Sequence, residues 1–191
     1  VHRQVAALHA SCIDQGFLSS LGPRFLTVLY RAIDKSDTAV LLIEQDSNGV
    51  TGFVTGGRGM GPIYRAMLSD WPALLAALAP VLLRPRKIMG IIEILRRGGG
   101  TIAPGLPDHE LFSIAVAQHA RGTGAAERLY QALCDHFNTQ GVPAFRIVVG
   151  DSLIPAHRFY KRMGAQPMRA ICLHGAATST IYQQDTAAAP G

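Results

Sequence analysis

Apolar positions recur along the chain first at helical spacing, then in short extended runs, and the alternation lays out the elements. Val5, Leu8 and Cys12 form one helical stripe, which the Gln15-Gly16 pair is placed to end. Leu21, Phe25, Val28, Leu29, Ala32 and Ile33 form a stronger one, with Pro23 tolerated in its first turn. Two strand-like runs follow, 38–43 and 50–55, joined by Gln45-Asp46-Ser47-Asn48-Gly49, whose Asn-Gly pair suits a hairpin. The next fifty residues break the pattern: Gly56-Gly57-Arg58-Gly59-Met60-Gly61-Pro62 is loop, 63–83 and 87–97 read as helices interrupted by prolines, and Gly98-Gly99-Gly100 is loop again.

Beyond that break the pattern sharpens. Leu111 to Val116, entered from the charged Glu110, is a short apolar run with two β-branched residues and reads as a buried strand. Ala126, Leu129, Tyr130, Leu133 and Phe137 recur at i, i+3, i+4, i+7 and i+11, so a helix presents an apolar stripe while Glu127, Arg128 and Asp135 face water. A strand at 145–149 and a short helix with Ala156, Phe159, Tyr160 and Met163 inward come next, and Gly164 is placed to end that helix in a left-handed cap. Strands at 168–174 and 179–183 read as a hairpin through Gly175-Ala176, and 185–191 as a frayed tail.

The junction between strand and helix carries chemistry. In Arg121-Gly122-Thr123-Gly124-Ala125-Ala126 two glycines let a ligand approach the backbone without meeting a Cβ, and the first helical turn offers unpaired N–H groups at a positive dipole end. A phosphate is the natural guest. Two familiar glycine motifs fail here. A dinucleotide fingerprint starting at Gly122 requires glycine or alanine where Glu127 stands, and a P-loop requires a closing Gly-Lys-Ser/Thr that is absent.

The junction resembles the Q/R-x-x-G-x-G/A signature of the GNAT superfamily of acyl-CoA N-acyltransferases, with Arg121, Gly124 and Ala126 in its three fixed places. A second segment, Ala156-His157-Arg158-Phe159-Tyr160-Lys161-Arg162-Met163-Gly164-Ala165, is similar to that family's A-x-x-[LF]-Y-x-x-x-G-F and follows in the family's order. The resemblance covers most of the chain after Glu110 and, more loosely, the part before it. It implies a single α/β domain over 1–191 with a mixed, mostly antiparallel twisted sheet flanked by helices. It also implies that 57–107 is a helical insertion between the family's third and fourth strands, here the runs at 50–55 and 111–116. The family's usual first strand would precede residue 1.

The same resemblance implies acetyl transfer from acetyl-CoA, as cosubstrate, to a primary amine by direct attack. Arg121, Gly122, Thr123, Gly124, Ala125 and Ala126 would hold the pyrophosphate, and backbone groups of Ile114 and Val116 the pantetheine arm. Tyr160 would be the general acid near the sulfur. A protonated amine, with a pKa near 10.4 for a lysine, cannot attack until a base takes a proton. Glu110, at the strand entry where some members carry a catalytic glutamate, is nominated as that base, directly or through water, with His109 in reserve. The loop before the tyrosine helix lacks the asparagine common in the family. Ser152 is the residue placed to replace it, and Ala165 stands where phenylalanine is usual.

Composition changes the picture only at its edges. The 191 residues are 48% hydrophobic, enough for one core without staples. No window reaches the length of a membrane span, because Pro72 and Pro80 interrupt the most apolar run. Cys12, Cys134 and Cys172 are an odd number without paired spacing, which argues for a reducing compartment and a cytoplasmic location. The net charge of +5 suits a ligand with several phosphates as well as it suits nucleic acid, and no basic stripe interleaved with aromatics favours the latter. No metal is expected, since the histidines lack ligand spacing and a zincin would require histidine where Ser113 stands. The acceptor, small molecule or peptide, is not named by the sequence, and the oligomeric state stays open, a homodimer included. Arg84, Arg86, Lys87, Arg96 and Arg97 in the insertion could receive an acidic acceptor or simply face water. Two readings from other classes remain: a non-catalytic acyl-CoA-binding or regulatory module, and an interaction protein that docks through its basic insertion.

Overall fold

In a computed structural model the structure describes residues 1–13, 18–82, 105–174 and 177–187. Two helices, α1 (His2–Cys12) and α2 (Pro23–Asp34), precede the hairpin of β1 (Ala39–Asp46) and β2 (Gly49–Gly57). Then come α3 (Gly61–Ser69), α4 (Trp71–Leu82), β3 (His109–Val116), α5 (Ala125–Thr139), β4 (Ala144–Gly150), α6 (Ile154–Arg162), β5 (Gln166–His174) and β6 (Ala177–Asp185). The six strands form one mixed sheet in the order β1-β2-β3-β4-β6-β5. All neighbours are antiparallel except β3 and β4.

The sheet is covered on both faces. Leu26, Tyr30, Ile33, Val5, Ile63 and Phe53 join α1, α2, α3 and β2 in one core. Leu129, Tyr130, Leu133 and Phe137 of α5 build the other with Phe145, Ile147 and Tyr160. Two glycines of β2 set how closely α5 lies. A Cβ on Gly52 would stand 2.8 Å from Leu129 Cδ1, and one on Gly56 2.9 Å from Phe137 Cζ, so only bare backbone admits the helix at this height. That height aims the N-terminus of α5 at the end of β3.

Several boundaries differ from the sequence pattern for local reasons. The run at 63–83 is two helices broken at Asp70 (φ −99°, ψ 50°), not at a proline. Pro62 and Pro72 sit at the second positions of α3 and α4, where the missing N–H is not needed. At the C-terminus, Asp185 still pairs with Ala144, and Thr186 is buried with its hydroxyl donating to Val142 O at 2.6 Å. The chain therefore stays tied to the sheet through Thr186. The expected helix at 87–97, its basic residues, the glycine loop at 98–100 and the Gly175-Ala176 turn lie outside the described residues.

Candidate active site

Parallel pairing between β3 and β4 lasts only from His109–Leu111 against Phe145–Ile147. Past Leu111 the two strands part. On its other side β3 slips register against β2, Gly56 facing Leu111 and Thr55 facing Ser113, so Phe112 is the extra residue of a bulge. Bulge and splay together open a cleft of about 790 Å³. Its walls are residues 111–116 of β3, Ile147 and Val148 of β4, Leu153, Pro155, Ala156, Phe159 and Tyr160 around α6, and His9, Cys12, Ile13, Leu18 and Ser19 around α1, with Arg121 and Ala126 at one end. Among the described residues no strand pairs with this edge of β3 beyond Leu111, so an extended ligand carrying amides can pair with it as a strand would.

At the cleft end the chain turns through Gln118–Ala120 into the glycine junction. Gly122 (φ +77°) and Gly124 (φ +80°) are both left-handed, a conformation that costs a residue with a Cβ about 1–2 kcal/mol. Among the described residues no backbone acceptor meets any N–H from Gly122 to Glu127; the first bonded amide of α5 is Arg128 N, 3.0 Å from Gly124 O. A row of free donors at a helix N-terminus is an anion site. The loop is braced from outside. Arg128 donates to Thr123 O at 2.8 Å and pairs with Glu44, and Thr123 Oγ1 donates to Ala120 O at 2.8 Å. Arg121 donates through Nε to Val116 O at 3.3 Å and keeps its guanidinium on the cleft wall.

Tyr160 lines the same cleft from α6, its ring against Phe159, Tyr130 and Tyr182 at centroid distances of 5.3, 5.9 and 6.5 Å. Among the described residues no hydrogen-bond partner meets its hydroxyl. Burial pushes its pKa above the usual phenol value, so the group carries its proton throughout the neutral range. Tyr130 is by contrast tied down, donating to the buried Gln184 Oε1 at 2.9 Å.

Glu110, nominated as base, stands at the entry of β3 with its carboxylate tied to β4. One carboxylate oxygen accepts both Arg146 Nε (2.9 Å) and Arg146 Nη2 (2.6 Å) from the facing position on β4, and Arg146 Nη1 also donates to Pro107 O. Glu110 is not among the residues that line the cleft. His109 points to the opposite face, its ring 5.3 Å from Phe137, in a separate 270 Å³ hollow with Arg58 and His136. Burial and the positive charge of Arg58 lower its pKa. Ser152 is exposed in the turn before α6, and the cleft wall there is formed by Leu153 and Pro155 instead.

Sequence reasoning did not find a polar chain on the α1 side. His9 is buried, with Nδ1 2.5 Å from Tyr30 Oη and Nε2 3.0 Å from Ser19 Oγ. Tyr30 Oη continues to Ser113 Oγ at 3.3 Å, and Ser113 to Thr55 Oγ1 at 2.9 Å. Burial lowers the His9 pKa to about 4, which leaves the ring neutral at pH 7. Its signal was available: His9 stands four residues after Val5, on the apolar stripe of α1.

Comparison with known proteins agrees with this architecture. The chain resembles the N-acetyltransferase from Staphylococcus aureus Mu50 (TM-score 0.58, 15% identity, 95% of this chain and 92% of that one). It also resembles Arabidopsis thaliana NAA60 in complex with a bisubstrate analogue (TM-score 0.59, 15% identity, 96% and 91%). The ribosomal-protein-S18-alanine N-acetyltransferase from Escherichia coli is a further structural relative (TM-score 0.54, 12% identity, 97% and 88%). At these identities the structural likeness shows a shared fold alone. A sequence search of curated proteins gives no match. The sequence profile of the acetyltransferase (GNAT) family, however, matches residues 23–165, which take in the bulged strand, the glycine junction and the Tyr160 helix. The chain belongs to the acetyltransferase (GNAT) family and is an acyltransferase.

Proposed function

We propose that the protein moves an acetyl group from acetyl-CoA to a primary amine by direct attack, without a covalent enzyme intermediate. The observation that carries this reading is the convergence of three features on one cleft: unpaired backbone donors at the N-terminus of α5, the unpartnered edge of β3 past Leu111, and the Tyr160 hydroxyl. The amides of Gly122, Thr123, Gly124, Ala125 and Ala126, with the Arg121 cation, suit a diphosphate. Backbone groups along Ile114 and Val116, past the bulge at Phe112, suit the two amides of a pantetheine arm.

Tyr160 is assigned the general-acid role, donating its proton to the departing thiolate. Glu110 is assigned to hold β3 against β4 at the point where they part, because its committed oxygen and its place outside the cleft wall remove the support for a direct base. No part is assigned to Ser152. Amine acceptors of small-molecule or peptide origin both fit an open cleft, and the free thiols of Cys12 and Cys134 suit a cytoplasmic setting.

The test is thiol release from acetyl-CoA across a broad panel of primary amines, with Tyr160→Phe alongside. Amine-dependent release that Tyr160→Phe cuts by about 10²-fold supports the assignment. Binding of CoA with no turnover on any amine points to the non-catalytic module, and an undiminished Tyr160→Phe removes the acid role.

A further inference from the structure

The acceptor attacks as the neutral amine, its ammonium proton given up to solvent beforehand, and the second proton, shed as nitrogen bonds carbon, needs a group in the cleft. Besides Tyr160, the assigned acid, and Cys12, whose thiol donates to Val116 O, four polar side chains line it among the described residues: Arg121, Ser113, Ser19 and His9. Arg121 cannot accept a proton, and Ser113 is already joined to Tyr30 and Thr55. We propose that His9, acting through the Ser19 hydroxyl, takes up the proton that the acceptor nitrogen gives up as the new C–N bond forms. The inference deepens the acetyl-transfer reading above and rests on it.

The hydrogen-bond chain supports the direction. A neutral imidazole carries one N–H. When His9 donates from Nδ1 to Tyr30 Oη, Tyr30 donates onward to Ser113, and Nε2 is left as an acceptor toward Ser19 Oγ. In this arrangement Ser19 gives its O–H to His9 and, standing on the cleft wall, has a lone pair with which to accept. As the amine nitrogen bonds the thioester carbon, its N–H bond breaks toward Ser19 Oγ, and the Ser19 O–H bond breaks toward His9 Nε2. The C–S bond breaks in turn, and the sulfur takes the Tyr160 proton. The excess proton on His9 and the deficit on Tyr160 then cancel through water in the cleft, so the balance is amine plus thioester to amide plus thiol.

A weak base suits this step. An alkylamine nitrogen becomes strongly acidic as it acquires amide character, so a group that stays unprotonated at neutral pH is always ready and still accepts at the moment of bond formation. The setting keeps it so. His9 packs against Tyr30 of α2 and stacks on Phe53 of β2, with centroids 6.2 Å apart. Arg121, toward the glycine junction, is the charged side chain on the described cleft wall.

A crystal structure with a bisubstrate, CoA joined through an acetyl bridge to propylamine, reads the geometry without knowledge of the natural acceptor. The expected result places the amide nitrogen within about 3.2 Å of Ser19 Oγ or His9 Nε2. A nitrogen directed at Glu110 overturns the inference, as does failure of the bisubstrate to bind while CoA binds. If CoA itself does not bind, the cosubstrate reading falls and this inference falls with it. In kinetics on the best amine of the panel, Ser19→Ala and His9→Gln are each expected to lower kcat by at least tenfold with KM for acetyl-CoA unchanged. Ser19→Ala, at a half-buried position, guards against a folding defect in His9→Gln. Unchanged kcat in folded Ser19→Ala overturns the relay.

Discussion

A phenol with an inward ring and a hydroxyl that meets no partner among the described residues can be altered without loosening the fold. Tyr160→Phe should therefore lower kcat by about 10²-fold while leaving CoA affinity and the thermal midpoint near those of the parent, checked by steady-state kinetics, calorimetry and melting. His9 gives an independent signature in stability. Its folded pKa of about 4 lies below the ordinary 6.5, so the unfolded chain binds the extra proton between those values. Its contribution is fully present above pH 6.5 and is lost as pH falls toward 4, amounting to about 3 kcal/mol across that window. Urea unfolding at pH 7 and pH 4.5 reads this, and His9→Gln should flatten the dependence. An equally steep acid loss in the variant would assign it to other groups.

Single residues also show what the sequence could carry. Tyr160 was legible because its spacing with Ala156, Phe159 and Met163 fixes an inward face whatever the fold. Glu110 was legible as a strand-entry carboxylate, yet its partner Arg146 lies 36 positions away and becomes adjacent only through the parallel register of β3 and β4. Nothing local announces such a pairing. The His9 relay is hidden for the same reason, since it joins α1, the turn before α2, α2 and β3.

At the scale of elements, the start of α5 is the most constrained piece. A Cβ on Gly124 would meet Arg128 Nη1 at 3.2 Å, at a φ of +80° that side chains avoid. Gly124→Glu adds to that strain a negative charge among the donors, and CoA binding should fall below detection in calorimetry while the fold survives. Gly56→Val tests the other end of the helix, because the new side chain must displace Phe137 and Leu133. A loss of about 1–3 kcal/mol in denaturant unfolding is expected, with CoA affinity weakened as the helix shifts. The strut formed by Glu110 gives a contrasting outcome: Glu110→Gln should cost about 1–2 kcal/mol of stability and less than tenfold in kcat. A hundredfold fall in kcat would restore the carboxylate to the chemistry. The strand and helix around this junction were readable from a six-residue stretch, since a glycine pair between an apolar run and an amphipathic helix has few other folds. The bulge at Phe112 was not, because it exists only relative to β2.

Across the whole molecule, the sheet is one body split at one seam, and the split makes the cleft. A ligand lying along β3 with its phosphates on α5 would bridge the two cores, so binding should stabilise the entire domain. At a hundredfold excess over Kd the gain is about 2.7 kcal/mol, or roughly 5–10 °C in Tm for a chain of this size. The hydrophobic pattern foretold the elements along the chain and the family resemblance the layers, whereas the parting of β3 and β4 emerges only once both are in the sheet.

The most direct test of the central claim is a calorimetric titration of acetyl-CoA into the wild-type protein and into Gly124→Glu. The account predicts saturable one-to-one binding to the former, displaced by free CoA, and no measurable heat with the latter. Equal binding to both, or none to the wild type, would contradict it.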